Sequence, residues 1–204
     1  EFVRSVQAGE VDIIIGTQVV AKGHHFPMLT TVGVVDADLG LAGGDLRAAE
    51  RTYQLLHQVA GRAGREERLG TVFLQTHQPE NPVIRALVDW DRDGFLAEES
   101  RAREAASMPP FGRLVALIVS ARDPGAADEA ALILARSAPR FSDVQVLGPA
   151  PAPLSLLRGR HRRRLLLKAG RTVNVQKVVR DWLASLKLPS AARVTVDVDP
   201  YGFM

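Results

Sequence analysis

Two consecutive prolines in Met108-Pro109-Pro110-Phe111-Gly112 divide the chain. Proline lacks a backbone N–H and pushes the residue before it out of the α region, so a helix approaching from Val83 to Ser107 cannot pass through them. The sequence on either side also differs in charge. Up to Gly112 there are 11 basic and 16 acidic residues, net −5; beyond it there are 15 and 7, net +8. The total of +3 over 204 residues conceals this split. A basic body with a clustered charge run is the footprint of a phosphate-bearing partner, although a pI of 9.7 alone also fits an arginine-rich proteome.

With 46% hydrophobic and 24% charged residues, the chain can build one large or two small globular domains, and neither disorder nor a coiled coil describes the whole. The absence of cysteine excludes disulfides, thiolate zinc sites and catalytic thiols, and a reducing, cytosolic compartment is the expectation. The longest apolar run, Leu114 to Ala121 interrupted only by Ser120, falls short of the roughly 18 residues a membrane helix needs, so no membrane partner is expected. The first residues are not a methionine start. They read as the inside of an amphipathic helix running into a strand, as in a fragment.

The β-branched run Val11-Asp12-Ile13-Ile14-Ile15 before Gly16 predicts a strand buried on both faces, as in parallel sheets. Further strands are predicted at Thr31–Val35 and Thr71–Thr76, with a helix from Asp45 to about Ala63 between them, so the first part reads as α/β with crossovers. Turn chemistry at Gln78–Pro82 precedes a helical stretch, Val83 to about Ser107, broken near Gly94. After the prolines come a strand at Leu114–Ala121, a helix at about Ala126–Ala138, a strand at Val144–Leu147, a proline-spaced run from Gly148 to Pro153, a basic strand near Arg162–Lys168, a helix near Val173–Leu186 and a strand at Arg193–Asp199. That order, βαββαβ, is the ferredoxin-like α+β arrangement. Its second helix carries one apolar stripe through Val175, Val178, Val179, Trp182, Leu183 and Leu186. The expected parts are residues 1–78, a helical connector at 79–109, and a C-terminal domain at 110–204.

Two segments carry candidate chemistry in the first part. In Gln58-Val59-Ala60-Gly61-Arg62-Ala63-Gly64-Arg65, helical spacing puts Gln58, Arg62 and Arg65 on one face, and the glycines admit a close backbone or nucleotide. Two guanidiniums beside a glutamine suit a triphosphate, because arginine offsets charge on a transferring phosphoryl group; a glycine-terminated helix with solvated arginines is the plainer alternative. Upstream, Gly16 and Thr17 end a predicted parallel strand, and Thr17, Gln18 and Lys22 offer a hydroxyl, an amide and an ammonium for a nucleic-acid backbone. An ordinary strand-to-helix turn would have the same residues. His24 and His25 are neighbours pointing apart, without cysteines to complete a zinc site. Asp36 and Asp38, two apart at a strand end, are compatible with acid/base or metal chemistry but are expected to cap and orient a loop, with no catalytic role; Tyr53, Trp90 and Trp182 are expected to pack in the core or at its edge.

In the C-terminal part, Arg158-Gly159-Arg160-His161-Arg162-Arg163-Arg164 places five arginines in seven residues. In an extended strand Arg158, Arg160, Arg162 and Arg164 share one face at about 6.6 Å intervals, near the phosphate step of a nucleic-acid strand. A solvated charge run is the alternative.

The Gln58–Arg65 segment resembles motif VI of superfamily 2 helicases, and Gly16–Pro27 resembles motif V. Together with Asp45–Thr52, Pro109-Pro110-Phe111, Leu147–Pro153 and Asp197–Pro200, the sequence resembles the PriA family of replication-restart helicases along essentially its whole length. The resemblance implies the end of a RecA-like second helicase lobe followed by a C-terminal domain similar to ribosomal protein S10. It implies an intact protein that is an ATP-dependent 3′ to 5′ DNA helicase, recognises abandoned forks and initiates primosome assembly, using ATP and Mg²⁺ and carrying zinc in an upstream cysteine region. Branched and single-stranded DNA, single-stranded DNA-binding protein and primosome proteins are the implied partners, in the bacterial cytoplasm at the nucleoid. By motif, Arg62 and Arg65 would face ATP, Gln58 would couple nucleotide to the lobe interface, and Thr17, Gln18 and Lys22 would contact DNA. The sequence contains no Gly-x-x-x-x-Gly-Lys-[Ser/Thr] phosphate loop and no acidic magnesium motif, so this stretch alone is expected not to hydrolyse ATP. A non-catalytic fork-DNA-binding adaptor is the alternative, and an RNA-binding protein a remoter one.

Overall fold

A computed structural model describes residues 2–17, 26, 28–41, 45–61, 63 and 70–202. The chain divides into two compact units, Glu1–Glu98 and Glu99–Met204. It is a mixed α/β protein, with one parallel and one antiparallel sheet among the described residues.

The first unit holds α1 (Phe2–Gln7), β1 (Thr31–Val34), α2 (Ala48–Ala60), β2 (Thr71–Leu74) and α3 (Pro82–Val88); α4 (Arg92–Ala105) runs across the division. β1 and β2 pair in parallel from Thr31↔Thr71 to Val34↔Leu74, as a strand–helix–strand order requires. Tyr53 and Leu56 of α2 bury their apolar side chains with Ala37, Val83, Ile84, Leu87 and Phe95, and Tyr53 stacks on Phe95 at 4.4 Å between ring centroids. Trp90 lies at the edge, meeting His57 side-on at 5.1 Å. Asn81 starts α3 by accepting from Val83 N at 3.0 Å, with Pro82 in the first turn, where its missing N–H costs nothing.

Two expectations for this unit are corrected. Val11–Ile15 is not a strand: Ile13 and Ile15 are 77% and 93% exposed. A doubly buried strand needs layers on both of its faces, whereas among the described residues the sheet in this unit has two strands, each alternating exposed and half-buried positions. The break in the connector lies at Asp89–Asp91, with Trp90 in the left-handed region (φ 54), rather than at Gly94. Gly94 sits inside the first turn of α4, where its N–H donates to Asp91 Oδ1 at 2.8 Å and an added Cβ would stand 2.0 Å from Asp91 Oδ2.

The second unit continues with β3 (Gly112–Ala121), α5 (Pro124–Arg136), β4 (Val144–Leu157), β5 (Arg160–Gly170), α6 (Val175–Ala184) and β6 (Arg193–Val198). All its strand pairs are antiparallel, in the spatial order β4-β5-β3-β6. Val115, Leu117 and Val119 of β3 and Leu165, Leu167 and Ala169 of β5 point to one face, where Ala130, Ala131 and Leu134 of α5 and Val175, Val179 and Trp182 of α6 cover them. Both helices therefore occupy the same face. Burying each of the larger aliphatic side chains contributes about 1.5–3 kcal/mol, so this layer is the unit's main source of stability. The helix starts are capped: Asp123 accepts from Ala126 N at 2.7 Å and Asn174 from Lys177 N at 3.0 Å.

β4 runs further than expected, through the proline-spaced segment to Leu157. Prolines are tolerated because β4 is an edge strand, bonded only to β5, and its register shifts between Leu147 and Ala150 and again between Pro151 and Leu156. Gly148 sits at the first irregularity with φ +105, and a Cβ there would lie 2.7 Å from Arg164 O. Among the described residues no helix is long and apolar enough to cross a membrane.

Candidate nucleic-acid interface

The basic run occupies the end of the β4–β5 hairpin. Arg158 and Gly159 form its two-residue turn, with φ of 51 and 69, the left-handed pair that matches the twist of a tight hairpin. Arg158 is thus in the turn, outside the strand whose face it was expected to share. Period-two alternation then sorts the rest. Arg163 points to the helix face, where Nη2 donates to Asp128 Oδ2 at 2.9 Å and Nε donates to Asp128 Oδ1. The hydrogen bonds and charge of Arg163 hold the Asp128 carboxyl below the ordinary carboxylate range.

Arg160, Arg162 and Arg164 project to the opposite, helix-free face. Arg160 lies beside Ser120: its Nη2 donates to Ser120 O at 2.7 Å and its Nε to Ser120 Oγ at 3.3 Å. Arg162 Nη1 donates to Leu154 O at 3.3 Å. These acceptors are neutral, so neither positive charge is cancelled by a carboxylate among the described residues. Arg164 is half-buried, and the desolvation that comes with burial lowers its guanidinium pKa. Farther along β5, Lys168 Nζ donates to Ala106 O at 2.7 Å, turned to the other end of the sheet.

Two residues complete this end of the face. Ser120, the single polar interruption in the apolar run, lies opposite Arg162 of β5 and opposite Arg193 of β6. The interruption in an otherwise buried strand was a visible signal for Ser120; nothing local in the sequence placed Arg193 with it.

In the first unit, a mostly apolar cleft of about 720 Å³ is lined by Thr17, Val34, Asp36, Thr52, Leu55 and Val59 among others. Thr17 is exposed, as is Gln58 on α2. α2 ends at Ala60 with Gly61 as its C-cap, since glycine is a poor continuation of a helix, and Gln58 stands in its last turn. Gln18, Lys22, Arg62 and Arg65 lie outside the described residues, as do His24 and His25. Asp38 is a structural link: its carboxylate accepts from Thr76 Oγ1 and from His77 N, both at 2.6 Å, joining the segments that follow β1 and β2. Those hydrogen bonds lower its pKa. Asp36 Oδ1 accepts from Asp38 N at 3.0 Å, a local turn. Asp45–Arg51 organises the approach to α2, with Asp45 accepting from Arg47 N at 3.2 Å and from Arg51, and Arg47 Nε donating to Glu50 at 2.6 Å. Among the described residues no group of three or more His, Asp or Glu could hold a metal ion.

Residues 104–201 match the family described as the primosomal protein N C-terminal domain, a span that includes the whole four-stranded sheet and both helices on it. Over 194 residues, 95% of this chain, the sequence is 45% identical to the replication restart protein PriA of Rickettsia conorii. The chain belongs to the PriA family. It is 38% identical over 202 residues to the PriA of Haemophilus influenzae and 34% identical over 201 residues to that of Bacillus subtilis, covering 98% and 96% of this chain. The chain spans 30%, 28% and 25% of the length of these three relatives, and it corresponds to the C-terminal part of PriA.

Proposed function

We propose that this chain is the C-terminal part of an ATP-dependent 3′ to 5′ DNA helicase that recognises stalled or abandoned replication forks and starts primosome assembly, and that its basic sheet is a DNA-binding surface. The observation that carries the reading is the pair Arg160 and Arg162 on the helix-free face, hydrogen-bonded to neutral oxygens and left with uncancelled charge. Guanidiniums so placed bind phosphate oxygens without reading base edges, which suits a protein that recognises DNA shape rather than sequence. No tryptophan, tyrosine or phenylalanine occurs in β3, β5 or β6, so base stacking is not the basis of binding there.

In this reading residues 1–78 end a RecA-like second lobe, residues 79–109 connect, and residues 110–204 form an S10-like, ferredoxin-like domain, to which the strand order β4-β5-β3-β6 with two helices on one face lends support. Arg62 and Arg65 serve ATP from the second lobe, Gln58 couples nucleotide to the lobe interface, and Thr17, Gln18 and Lys22 join the DNA contact. ATP, Mg²⁺ and a zinc site would be properties of the longer protein. Branched and single-stranded DNA, single-stranded DNA-binding protein and primosome proteins are its proposed partners, in the cytoplasm near the nucleoid.

Fluorescence anisotropy with single-stranded and forked oligonucleotides at several salt concentrations tests the DNA surface. If about four phosphates are neutralised on single-stranded DNA, log K falls against log salt with a slope of roughly −3. Binding that is weak, salt-independent or unchanged by Arg160→Ala with Arg162→Ala would place the DNA site elsewhere.

A further inference from the structure

We propose that Arg193, Ser120 and Arg162 form a phosphate clamp laid across three strands of the helix-free face, and that it takes one phosphodiester of single-stranded DNA. This rests on the DNA-binding reading above and adds Arg193, 29 positions beyond the arginine run, to its surface. The register fixes the juxtaposition: Ser120 pairs with Arg162 on one side and with Arg193 on the other. Val119 and Ala121 are fully buried on either side of Ser120, so Ser120 faces away from the helices. Val194 packs against the helix-side core and Arg163 bonds Asp128 on α5, which turns Arg193 and Arg162 to the same side as Ser120.

Strands stand about 4.8 Å apart, so the backbones carrying Arg162 and Arg193 are separated by about 10 Å across Ser120. Arginine side chains span that distance from either side; Arg162, whose Nη1 donates to Leu154 O on the β4 side, leaves that carbonyl so that its guanidinium and that of Arg193 converge on one phosphate. Ser120 Oγ accepts from Arg160 Nε at 3.3 Å, and its own hydroxyl hydrogen remains to donate to the bound group. Arg193 is exposed and has no carboxylate partner among the described residues. The nearest acidic residue on this face of β6 is Asp197, opposite Ala116 and four residues along the strand, about 13 Å away, with Thr195 between. Bringing Arg162 and Arg193 together beside Arg160 is repulsive without an anion; a backbone phosphate removes that cost.

The test uses the Glu1–Met204 chain, an oligothymidine single strand and anisotropy at several salt concentrations, with circular dichroism melts verifying each variant's fold. Arg193→Ala should make the salt slope shallower by about 0.7, one phosphate contact on a single strand, and weaken binding by about threefold to tenfold at moderate salt. Arg193→Lys should restore the slope while recovering only part of the affinity, since a point charge lacks the planar fork. Lys187→Ala, an exposed cation beyond α6, should change neither. If Arg193→Ala binds like wild type while Arg160→Ala with Arg162→Ala loses slope, the clamp is wrong and the DNA surface stands. If neither set changes binding, both fail. Tighter binding to an oligouridine RNA strand than to its DNA counterpart would overturn the choice of partner.

Discussion

Arg163 grips Asp128 through two parallel hydrogen bonds, Nη2 to Oδ2 at 2.9 Å and Nε to Oδ1, and so ties β5 to α5 on the helix face of the sheet. Its neighbour Arg162 points the opposite way, to a neutral carbonyl at the hairpin edge. One residue step therefore separates an architectural arginine from a surface one. Arg163→Ala should lower the thermal midpoint and leave DNA affinity close to wild type, whereas Arg162→Ala should do the reverse. Parallel melts and anisotropy titrations measure both, and an equal effect of the two substitutions on DNA binding would remove the distinction.

Asp38 supplies a pH prediction. Its carboxyl is held below its ordinary value of about 3.9 by the hydrogen bonds from Thr76 and His77. A folded pKa below the unfolded one means that the unfolded chain binds the proton more readily, so this link is fully stabilising above about pH 4 and is lost as pH falls through the folded value. Asp38→Asn should therefore melt below wild type by a constant margin between pH 5 and 7, and the margin should narrow under about pH 4. A margin independent of pH down to 3 would mean that the charge of Asp38 contributes nothing.

Gly148→Ala tests the bulge that lets a proline-rich strand stay in the sheet. With φ +105 and the Arg164 carbonyl 2.7 Å from the new Cβ, the substitution should destabilise the second unit by about 1–3 kcal/mol. Urea denaturation followed by tryptophan fluorescence is suitable, since Trp182 lies in that core and donates from Nε1 to Ser137 Oγ at 3.1 Å. Gly159→Ala, at the hairpin tip with φ +69 and no atom within 4 Å of a Cβ, should be milder because only the backbone conformation opposes it.

The proposed ATP chemistry divides between this chain and the longer protein. Arginines that stabilise a transferring phosphoryl group do nothing without the phosphate loop and Mg²⁺ that hold the nucleotide, so Glu1–Met204 alone should show no DNA-stimulated ATP turnover. In a longer protein with an intact phosphate loop, Arg65→Ala should lower turnover by about three orders of magnitude with little change in DNA affinity. Turnover at the wild-type rate in that variant would make Arg65 structural.

What could be read from the sequence were features set by near neighbours along the chain. The apolar stripe from Val175 to Leu186 depends only on helical spacing, and α6 buries Val175, Val179 and Trp182 from it. The caps at Asn81-Pro82 and Asp123-Pro124 are equally local, with hydrogen bonds spanning two or three residues, although the pattern that predicts these helices begins only at Val83 and about Ala126. Motif spacing in Gly16–Pro27, Gln58–Arg65 and Leu147–Pro153 was likewise enough to point to the PriA family. The face that each arginine of the run occupies was half legible: alternation separates Arg160 and Arg162 from Arg163, but a left-handed turn takes Arg158 out of the strand.

Only the tertiary structure decided which distant groups meet. The exposure of Ile13 and Ile15 depends on whether other elements cover both sides of the segment, which a β-branched run does not encode. β4 continues through its prolines because it lies at an edge, where a missing N–H need not meet a second strand. Ser120 stands between Arg162 and Arg193 through antiparallel registers linking residues 42 and 73 positions apart in the chain, and a shift of one residue in either pairing would turn the arginine to the other face. Local composition fixes the sign of the charge; long-range hydrogen-bond register decides where that charge accumulates.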